Sequence, residues 1–165
     1  MQEREQYAVG PAWIQEEGIV ADSFEELSEI GVAKLHEIGT EVGIVCGPLS
    51  TGGLGNALDN FNVFKATIEE LGRQGHTIFN QMPFESSLGR LRQRWEAEQE
   101  GVVGYCMPIL THFYAPLFGT GRITKSFFIP RWESSFGARW EHEKMLEHTI
   151  EIIYLPADWA KTIQL

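Results

Sequence analysis

The sequence predicts an α/β fold with a mostly parallel sheet, and three observations carry this prediction. Short apolar runs of the kind that form buried strands alternate with longer segments of helical periodicity. A glycine-rich segment follows the first apolar run directly, as in the first half of a βαβ unit. A later apolar run passes through a Ser-containing turn into another helical segment. With 165 residues, 43% of them hydrophobic, the chain has the size and composition of a single domain.

Capping residues and apolar periodicity predict the first elements. A capping box at 23–26, followed by apolar residues at helical spacing, predicts a helix over 23–38. The apolar run at 42–46 predicts a short buried strand. Apolar residues on one helical face predict a second helix after the glycine-rich loop at 47–56. Strand, loop and helix together form the start of a parallel unit.

The rest of the chain continues this alternation. The predicted order is a second strand over 76–84, a polar surface excursion over 85–100, a helix around 109–114, a third strand over 123–130, a helix over about 135–148 and a fourth strand over 150–155. In parallel sheets, ligands bind beyond the carboxyl ends of the strands. The loops at 47–56, 81–86 and 130–141 meet that requirement.

The charge balance excludes one broad class of function. The chain has 13 basic and 23 acidic residues, a formal net charge of −10. Non-specific nucleic-acid binding needs a basic surface that displaces counterions, so no nucleic-acid partner is expected. The N-terminal residues are polar and lack the apolar core of a secretory signal, and no apolar run approaches the ~20 residues of a membrane span. We therefore expect a cytoplasmic protein without a membrane partner.

Cysteines and histidines give no sign of a metal or a disulfide framework. Cys46 and Cys106 are far apart in the sequence, each in an apolar setting, which predicts reduced core residues. The five histidines have no metal-ligand spacing, so no metal and no cofactor are expected. Ser134 and Ser135 lack the GxSxG elbow and neither cysteine has an evident His partner, which disfavours a covalent serine or cysteine hydrolase.

Three glutamates follow the third predicted strand. If the helix begins near 135, Glu141 lies under two turns in and can face the strand ends, whereas Glu143 is rotated by ~200° and should face solvent. Glu133 lies in the turn before the helix, close to Trp132 and Trp140. A carboxylate beside aromatic rings can attack a sugar carbon while a second acid protonates the leaving group. The competing interpretation is an ordinary solvated helix face.

The glycine-rich loop is the second candidate for ligand binding. Its main-chain N–H groups, two hydroxyls and the helix start that follows could bind a phosphate or a sugar hydroxyl. The loop has neither the GxGxxG spacing nor the Gly-Lys-Ser/Thr of a Walker motif. A plain surface turn is the alternative.

Two motifs together resemble the nucleoside 2-deoxyribosyltransferase-like superfamily, over roughly residues 42–155. They are Gly-Pro-Leu-Ser-Thr-Gly-Gly at 47–53 and Trp-Glu-Ser-Ser-Phe-Gly-Ala-Arg-Trp-Glu at 132–141. The superfamily includes deoxyribosyltransferases and nucleoside 5′-monophosphate N-glycosidases. The resemblance implies a flavodoxin-like or Rossmann-like three-layer sandwich with a mostly parallel four- to five-stranded sheet. It also implies a homodimer or higher homo-oligomer, with residues 1–40 as an N-terminal extension of the single domain.

The resemblance also implies roles for particular residues. Glu141 falls on the family's nucleophilic glutamate, which attacks C1′ of the (deoxy)ribose and displaces the base. Many members carry an aspartate near the end of the preceding strand, but residues 127–130 contain no acid, which leaves Glu133 or Glu85 as substitutes. Arg131 stands where relatives with a similar turn commonly have glycine. The predicted substrate-binding residues are Gly47, Pro48, Ser50, Thr51, Gly52, Gly53, Met82, Phe84, Trp132, Ser134, Ser135 and Gly137.

The leading hypothesis is therefore N-glycosidic bond cleavage or (deoxy)ribosyl transfer on a nucleoside or nucleoside 5′-monophosphate, with Glu141 and Glu133 as catalytic residues. One alternative is a nucleotide or nucleotide-sugar sensor without turnover. The other is an oligomeric scaffold that uses the aromatic surface around Phe113, Tyr114 and Phe118. Loss of base release without loss of ligand affinity on replacing Glu141 would distinguish the enzyme from the sensor.

Overall fold

The computed structural model describes residues 18–49, 52–101 and 104–164, so the predicted N-terminal extension is described from residue 18 onward. Three strands are present in this part of the chain: β1 (Val42–Cys46), β2 (Ile123–Phe128) and β3 (Glu151–Tyr154). The helices, in chain order, are α1 (Phe24–Ile38), α2 (Ala57–Arg73), α3 (Glu85–Glu98), a π-helical turn (Ile109–Tyr114) that continues into α4 (Ala115–Phe118), α5 (Phe136–Glu147) and α6 (Trp159–Thr162). Short 3₁₀ turns precede α3 (Met82–Phe84) and α5 (Trp132–Ser134).

The sheet has the order β1-β2-β3, and all three strands are parallel. Cys46 at the end of β1 pairs with Phe128 at the end of β2, which in turn pairs with Tyr154 at the end of β3. The carboxyl ends of the strands therefore lie at one edge of the sheet. The α/β class and the parallel arrangement confirm the sequence prediction.

The predicted second strand over 76–84 is wrong in its extent. Its chain makes a single parallel bridge beside β1, in which Gly43 N donates to Thr77 O and Phe79 N donates to Gly43 O, both at 2.8 Å. The backbone then turns into the 3₁₀ segment Met82–Phe84. Pro83 has no N–H to donate to a sheet and fixes φ near the helical range, so pairing ends there. The described residues form three strands and one bridged edge, not four or five strands.

Helices cover both faces of the sheet. Side chains alternate along β1, so that Ile44 and Cys46 join one apolar cluster while Val45 joins the other. The first cluster includes side chains of α1, α3, α4 and α5, and the second includes side chains of α2 and α6. Both faces of the sheet are thus buried, as a parallel sheet requires.

The prediction that 85–100 is a surface excursion is wrong for its first half. Helix α3 buries Leu88 and Leu91 in the first apolar cluster, and the residues before them are buried as well. Ser87 is fully buried and donates its hydroxyl to Ile19 O at 2.5 Å. The buried residues of α3 are two leucines, two serines, a glycine and Glu85, so the helix has little apolar periodicity for sequence analysis to detect.

Helices α1 and α5 begin where the capping residues predict. Ser23 Oγ accepts a hydrogen bond from Glu26 N, and Ser135 Oγ accepts one from Ala138 N. Each serine satisfies a backbone donor that has no partner within its helix. The Ser135 cap fixes the helical phase of α5, and this phase determines which of its glutamates points inward.

Candidate functional site

A cavity of about 650 Å³ opens beyond the carboxyl ends of β1 and β2. Its walls come from the loop after β1, the inner face of α3, the segment 104–110 and the first turns of α5. The volume lies within the range of small-molecule sites, and the location is the one expected for a parallel sheet. We take this cavity as the candidate functional site.

Part of the predicted site lines this cavity. Gly47, Ser135, Gly137 and Glu141 are lining residues, and so is Glu85, the substitute acid proposed in place of the family's aspartate. These residues come from loops after two different strands and from two helices. The sheet topology brings them together.

Several other predicted residues lie elsewhere. Met82 and Phe84 are buried in the two apolar clusters. Glu133 and Ser134 are exposed on the turn before α5. Four more of the predicted residues are likewise not part of the cavity lining: Pro48, Gly52, Gly53 and Trp132. Ser50 and Thr51 lie outside the described residues.

Glu141 contributes a buried carboxyl group to the cavity lining. Its side chain is 8% exposed, whereas Glu143 on the same helix is exposed, as the helical phase predicts. Burial raises the pKa of Glu141 to about 8, the negative charge of Glu85 adds to the rise, and the neighbouring Cys46 thiol opposes it. Burial also raises the pKa of Cys46, and the Glu141 carboxyl group raises it further. A carboxyl group held this way keeps its proton at neutral pH.

Two buried side-chain oxygens of cavity-lining residues have no hydrogen-bond partner in the described structure: Glu141 Oε2 and Gln81 Oε1. Gln81 is 1% exposed, and its Nε2 donates to Val45 O at 2.9 Å. This bond identifies the amide nitrogen, so the remaining atom of the amide is an acceptor. Buried polar atoms are nearly always paired, so these two oxygens, which have almost no accessible surface, are exceptions in the wall of the cavity.

Tyr105 forms one wall beside the start of α5. Its ring stacks on Phe136 with centroids 4.7 Å apart, and a Cβ built on Gly137 would lie 2.8 Å from its hydroxyl oxygen. Burial, followed by the charges of Glu141 and Glu85, raises the pKa of Tyr105. The phenol therefore stays protonated and can donate a hydrogen bond into the cavity. Glycine at 137 makes room for this hydroxyl.

The charged residues of the lining are mostly acidic. Glu85, Glu96 and Glu141 face one basic residue within the described lining, Arg92. Arg92 Nε lies 3.9 Å from Glu96 Oε1, with side-chain exposures of 15% and 21%. Arg92 belongs to a basic run whose other members, Arg90 and Arg94, are exposed.

Asn60 on α2 organises the glycine-rich loop. Its Oδ1 accepts from Leu54 N at 2.9 Å, and its Nδ2 donates to Leu49 O at 3.2 Å and to Gly52 O at 3.0 Å. The loop also packs directly on the turn before α5, since a Cβ on Gly52 would lie 2.5 Å from Ser134 O. The φ of Gly52 is +72°, which favours glycine there.

The aromatic residues near the motif form a separate cluster. Trp132 stacks on His142 with centroids 4.4 Å apart and planes 9° apart, and His142 Nε2 lies 2.6 Å from the Tyr154 hydroxyl. Trp140 packs against Phe118 in the first apolar cluster. The two tryptophans thus stabilise the junction of α5 with the sheet and do not flank the cavity.

Sequence reasoning did not assign a role to Gln81, Tyr105 or Asn60. Gln81 falls in the loop 81–86, which the sheet rule had indicated without selecting a residue. Gln81 is the second of two polar residues that follow the apolar pair Ile78-Phe79, and this was the available signal. Tyr105 and Asn60 had none, because their roles depend on contacts with Gly137 and with the glycine-rich loop.

Within the described residues, no group of three or more His, Cys, Asp or Glu side chains could hold a metal ion. The same part of the chain contains no helix with the length and apolar character needed to span a bilayer. Comparison of the chain with protein-family models, with curated proteins and with solved structures found no match.

Proposed function

We propose that the protein cleaves the N-glycosidic bond of a nucleoside or nucleoside 5′-monophosphate, or transfers its (deoxy)ribosyl group. The observation that carries this proposal is the buried Glu141 carboxyl group, with Oε2 unpartnered, in a cavity that it shares with Glu85. Two carboxyl groups whose environments differ are the usual equipment for breaking a glycosidic bond. The motif resemblance, which also selects Glu141, supports the same reaction.

The proposed reaction proceeds in two displacements. A Glu141 carboxylate oxygen attacks C1′, a C–O ester bond forms, and the C1′–N bond breaks with its electron pair passing to the base. Glu85 supplies the proton that the departing base nitrogen needs. Water or an incoming base then attacks C1′ and returns the Glu141 carboxylate, while the proton released at this step goes back to Glu85. Glu85 takes this role in preference to Glu133, because it is buried in the cavity lining and Glu133 is exposed.

The protonation of the pair sets a pH requirement. Glu141 must be ionised to attack, and a pKa of about 8 leaves roughly one-tenth of it ionised at pH 7. The charge of Glu85 contributes to this pKa, so one proton tends to stay with the pair. The reactive form of the pair carries this one proton on Glu85, so kcat/KM should be level below about pH 8 and should fall about tenfold per pH unit above it, where the pair loses the proton. A value of kcat/KM that kept rising through pH 8 would contradict Glu85 as the proton donor.

The elevated pKa of Glu141 also favours a second candidate, a nucleoside- or nucleotide-binding protein without turnover. A protonated carboxyl group is a hydrogen-bond donor and a poor nucleophile. In this alternative, Glu141 contributes to ligand recognition alone. The flavodoxin-like three-layer arrangement, the cytoplasmic location and the homodimer or higher homo-oligomer remain part of the proposal.

A base-release experiment separates these candidates. The protein is incubated with a panel of nucleosides and 5′-monophosphates, and free base is measured by chromatography. Glu141→Ala should lower base release by at least about 10³-fold while the ligand still raises the melting temperature. Glu143→Ala, on the exposed face of the same helix, should match the wild type. Equal rates for wild type and Glu141→Ala would refute the catalytic proposal, and binding without release from any compound would favour the second candidate.

A further inference from the structure

Tyr105 is held beside the cavity by packing on the first turn of α5. Its ring stacks on Phe136 with the planes 29° apart, and Met107 N donates to Tyr105 O at 2.8 Å. The Arg139 guanidinium lies 5.8 Å from the centroid of the Phe136 ring and donates a hydrogen bond to Glu133 O at 2.6 Å. Both aromatic rings have fixed neighbours, so the protein sets the position of the Tyr105 hydroxyl before a ligand binds.

The Tyr105 hydroxyl is a donor without a partner in the described part of the chain. The enclosed side-chain oxygens that lack a hydrogen bond there are Gln81 Oε1 and Glu141 Oε2, and the Tyr105 oxygen is not one of them. Because no group among the described residues bonds this hydroxyl, its oxygen has surface open to the cavity that Tyr105 lines. A ligand in the cavity can therefore reach this hydroxyl, whereas the two enclosed oxygens are closed to it.

The hydroxyl keeps its proton at the pH values where the proposed reaction runs. Burial raises the pKa of Tyr105 most, and the negative charges of Glu141 and Glu85 raise it further. A phenol in this state does not compete with Glu85 for proton transfer, but it donates a hydrogen bond. Such a donor stabilises most strongly an atom that gains negative charge during the reaction.

The position of the hydroxyl along α5 indicates which part of a substrate it meets. The hydroxyl adjoins Gly137, which precedes Glu141 by four residues, one helical turn or about 6 Å along the axis. In a displacement, the departing group lies on the far side of the carbon from the attacking carboxylate. A donor one turn away from Glu141 can therefore reach the departing group.

We infer that the Tyr105 hydroxyl donates a hydrogen bond to the departing base, at an acceptor atom other than the nitrogen that Glu85 protonates. This inference rests on the proposed function, which supplies the departing base. When the C1′–N bond breaks, its electron pair passes to the base, and the hydrogen bond strengthens as that charge develops. Tyr105 keeps its proton, and Glu85 supplies the one that the base takes away. Tyr105 is then a catalytic residue of the reaction.

The first test varies the departing base. Tyr105→Phe deletes the hydroxyl and keeps the ring that stacks on Phe136. The parent compounds are guanosine, uridine and their 2′-deoxy forms, and the analogues carry 7-methylguanine or 5-nitrouracil, which depart more easily. The substitution should lower base release about 10²-fold for a parent compound and less than about threefold for its analogue. Equal losses for parent and analogue would overturn the role of Tyr105.

A second tyrosine and a folding measurement control this test. The Tyr154 hydroxyl pairs with His142 outside the cavity lining, so Tyr154→Phe should release base from both compounds at the wild-type rate. The unfolding midpoint of Tyr105→Phe should match the wild type, because its hydroxyl has no partner in the described chain to lose. A lowered midpoint would show that the hydroxyl bonds to the protein, and it would overturn the inference.

The second test uses the contact between Tyr105 and Gly137. A Cβ at position 137 would lie 2.8 Å from the hydroxyl oxygen but 3.6 Å from Cζ of the same ring, which is an ordinary contact. Gly137→Ala therefore displaces the hydroxyl in the wild type and fits against phenylalanine in Tyr105→Phe. Alone it should lower base release from the parent compound about tenfold, and in Tyr105→Phe it should have no effect. Equal losses in the two backgrounds would overturn the role of the hydroxyl.

Failure of this inference is distinguishable from failure of the proposed reaction. If the wild type releases base from none of the compounds, analogues included, both the reaction and the role of Tyr105 are refuted. If the wild type releases base and Tyr105→Phe loses parent and analogue equally, the reaction stands and the role of Tyr105 is refuted. A loss confined to the parent compounds supports both.

Discussion

Replacing Glu141 with glutamine tests the energetic claim on which the site depends. The carboxyl group has an ordinary pKa of 4.5, and burial raises it to about 8 in the folded protein. The folded protein therefore binds this proton more tightly than the unfolded chain does. Glutamine has nearly the same shape and cannot ionise, so Glu141→Gln removes this proton linkage and little else.

The direction of the effect follows from proton linkage. The contribution of Glu141 to stability is fully present below pH 4.5 and is lost as the pH rises through about 8. The interval of about 3.5 pH units between these values, at about 1.4 kcal/mol per unit, corresponds to about 5 kcal/mol. That loss is comparable with the whole stability of many domains. The advantage of Glu141→Gln over the wild type should grow by this amount between pH 4.5 and pH 8.

Urea unfolding at pH 5, 6, 7 and 8 measures this difference. Tryptophan fluorescence can follow the transition, since the chain contains five tryptophans. The gap between Glu141→Gln and wild type should widen by about 1.4 kcal/mol per pH unit. Glu143→Gln changes an exposed glutamate of the same helix, and its unfolding free energy should stay within about 0.5 kcal/mol of the wild type.

Parallel stability curves for wild type and Glu141→Gln would refute the reasoning. They would mean that the ionised carboxylate is well solvated in the folded protein. The assignment of Glu141 as a buried and poorly solvated carboxyl group would then be wrong. A gap that widened toward low pH would contradict the sign of the linkage.

Two further substitutions test the surroundings of the site. Asn60→Ala removes three hydrogen bonds of the glycine-rich loop and should lower the free energy of unfolding by about 2–3 kcal/mol in urea titrations. Asn62 is an exposed neighbour, and Asn62→Ala should change the free energy of unfolding by less than about 0.5 kcal/mol. Equal effects of the two substitutions would contradict the role of Asn60. Gly137→Ala places a methyl group 2.8 Å from the Tyr105 hydroxyl and should lower base release or nucleoside affinity about tenfold without loss of stability, because alanine favours the helix. Gly72→Ala, where a methyl group meets nothing within 4 Å, is the control, and an equal effect there would argue against displacement of Tyr105.

The elements that could be predicted from the sequence are those with local signals. Strand β1 is an uninterrupted apolar run, and helices α1 and α5 have serine caps directly before them. The inward orientation of Glu141 followed from helical phase alone once the cap was located. Helix α3 was missed as a packed element because its buried face is formed mainly by small polar residues. No local pattern distinguishes such a face from a solvated one.

The residues that the sequence could not assign depend on contacts across the chain. The position of the Gln81 amide depends on its hydrogen bond to Val45 O, 36 positions away in the sequence. The position of Tyr105 in the cavity wall depends on its contact with the start of α5 at Gly137. Trp132 was assigned a role that the structure does not support. Its place in the motif suggested that its ring would contact a ligand, but the ring stacks on His142. Adjacency in a motif does not decide which way a side chain points.

The end of β1, more than the glycine-rich loop after it, determines what surrounds Glu141. The thiol of Cys46 adjoins the Glu141 carboxyl group, and Val45 O holds the amide of Gln81. Glycine at 47 then allows the backbone to pass Ile129, since a Cβ there would lie 2.8 Å from Ile129 Cβ. This close approach keeps the ends of β1 and β2 together, so the helix after β2 brings Glu141 to the groups fixed on β1. Pairing of two parallel strands thus sets both the burial that raises the pKa of Glu141 and the position of the Gln81 amide beside it.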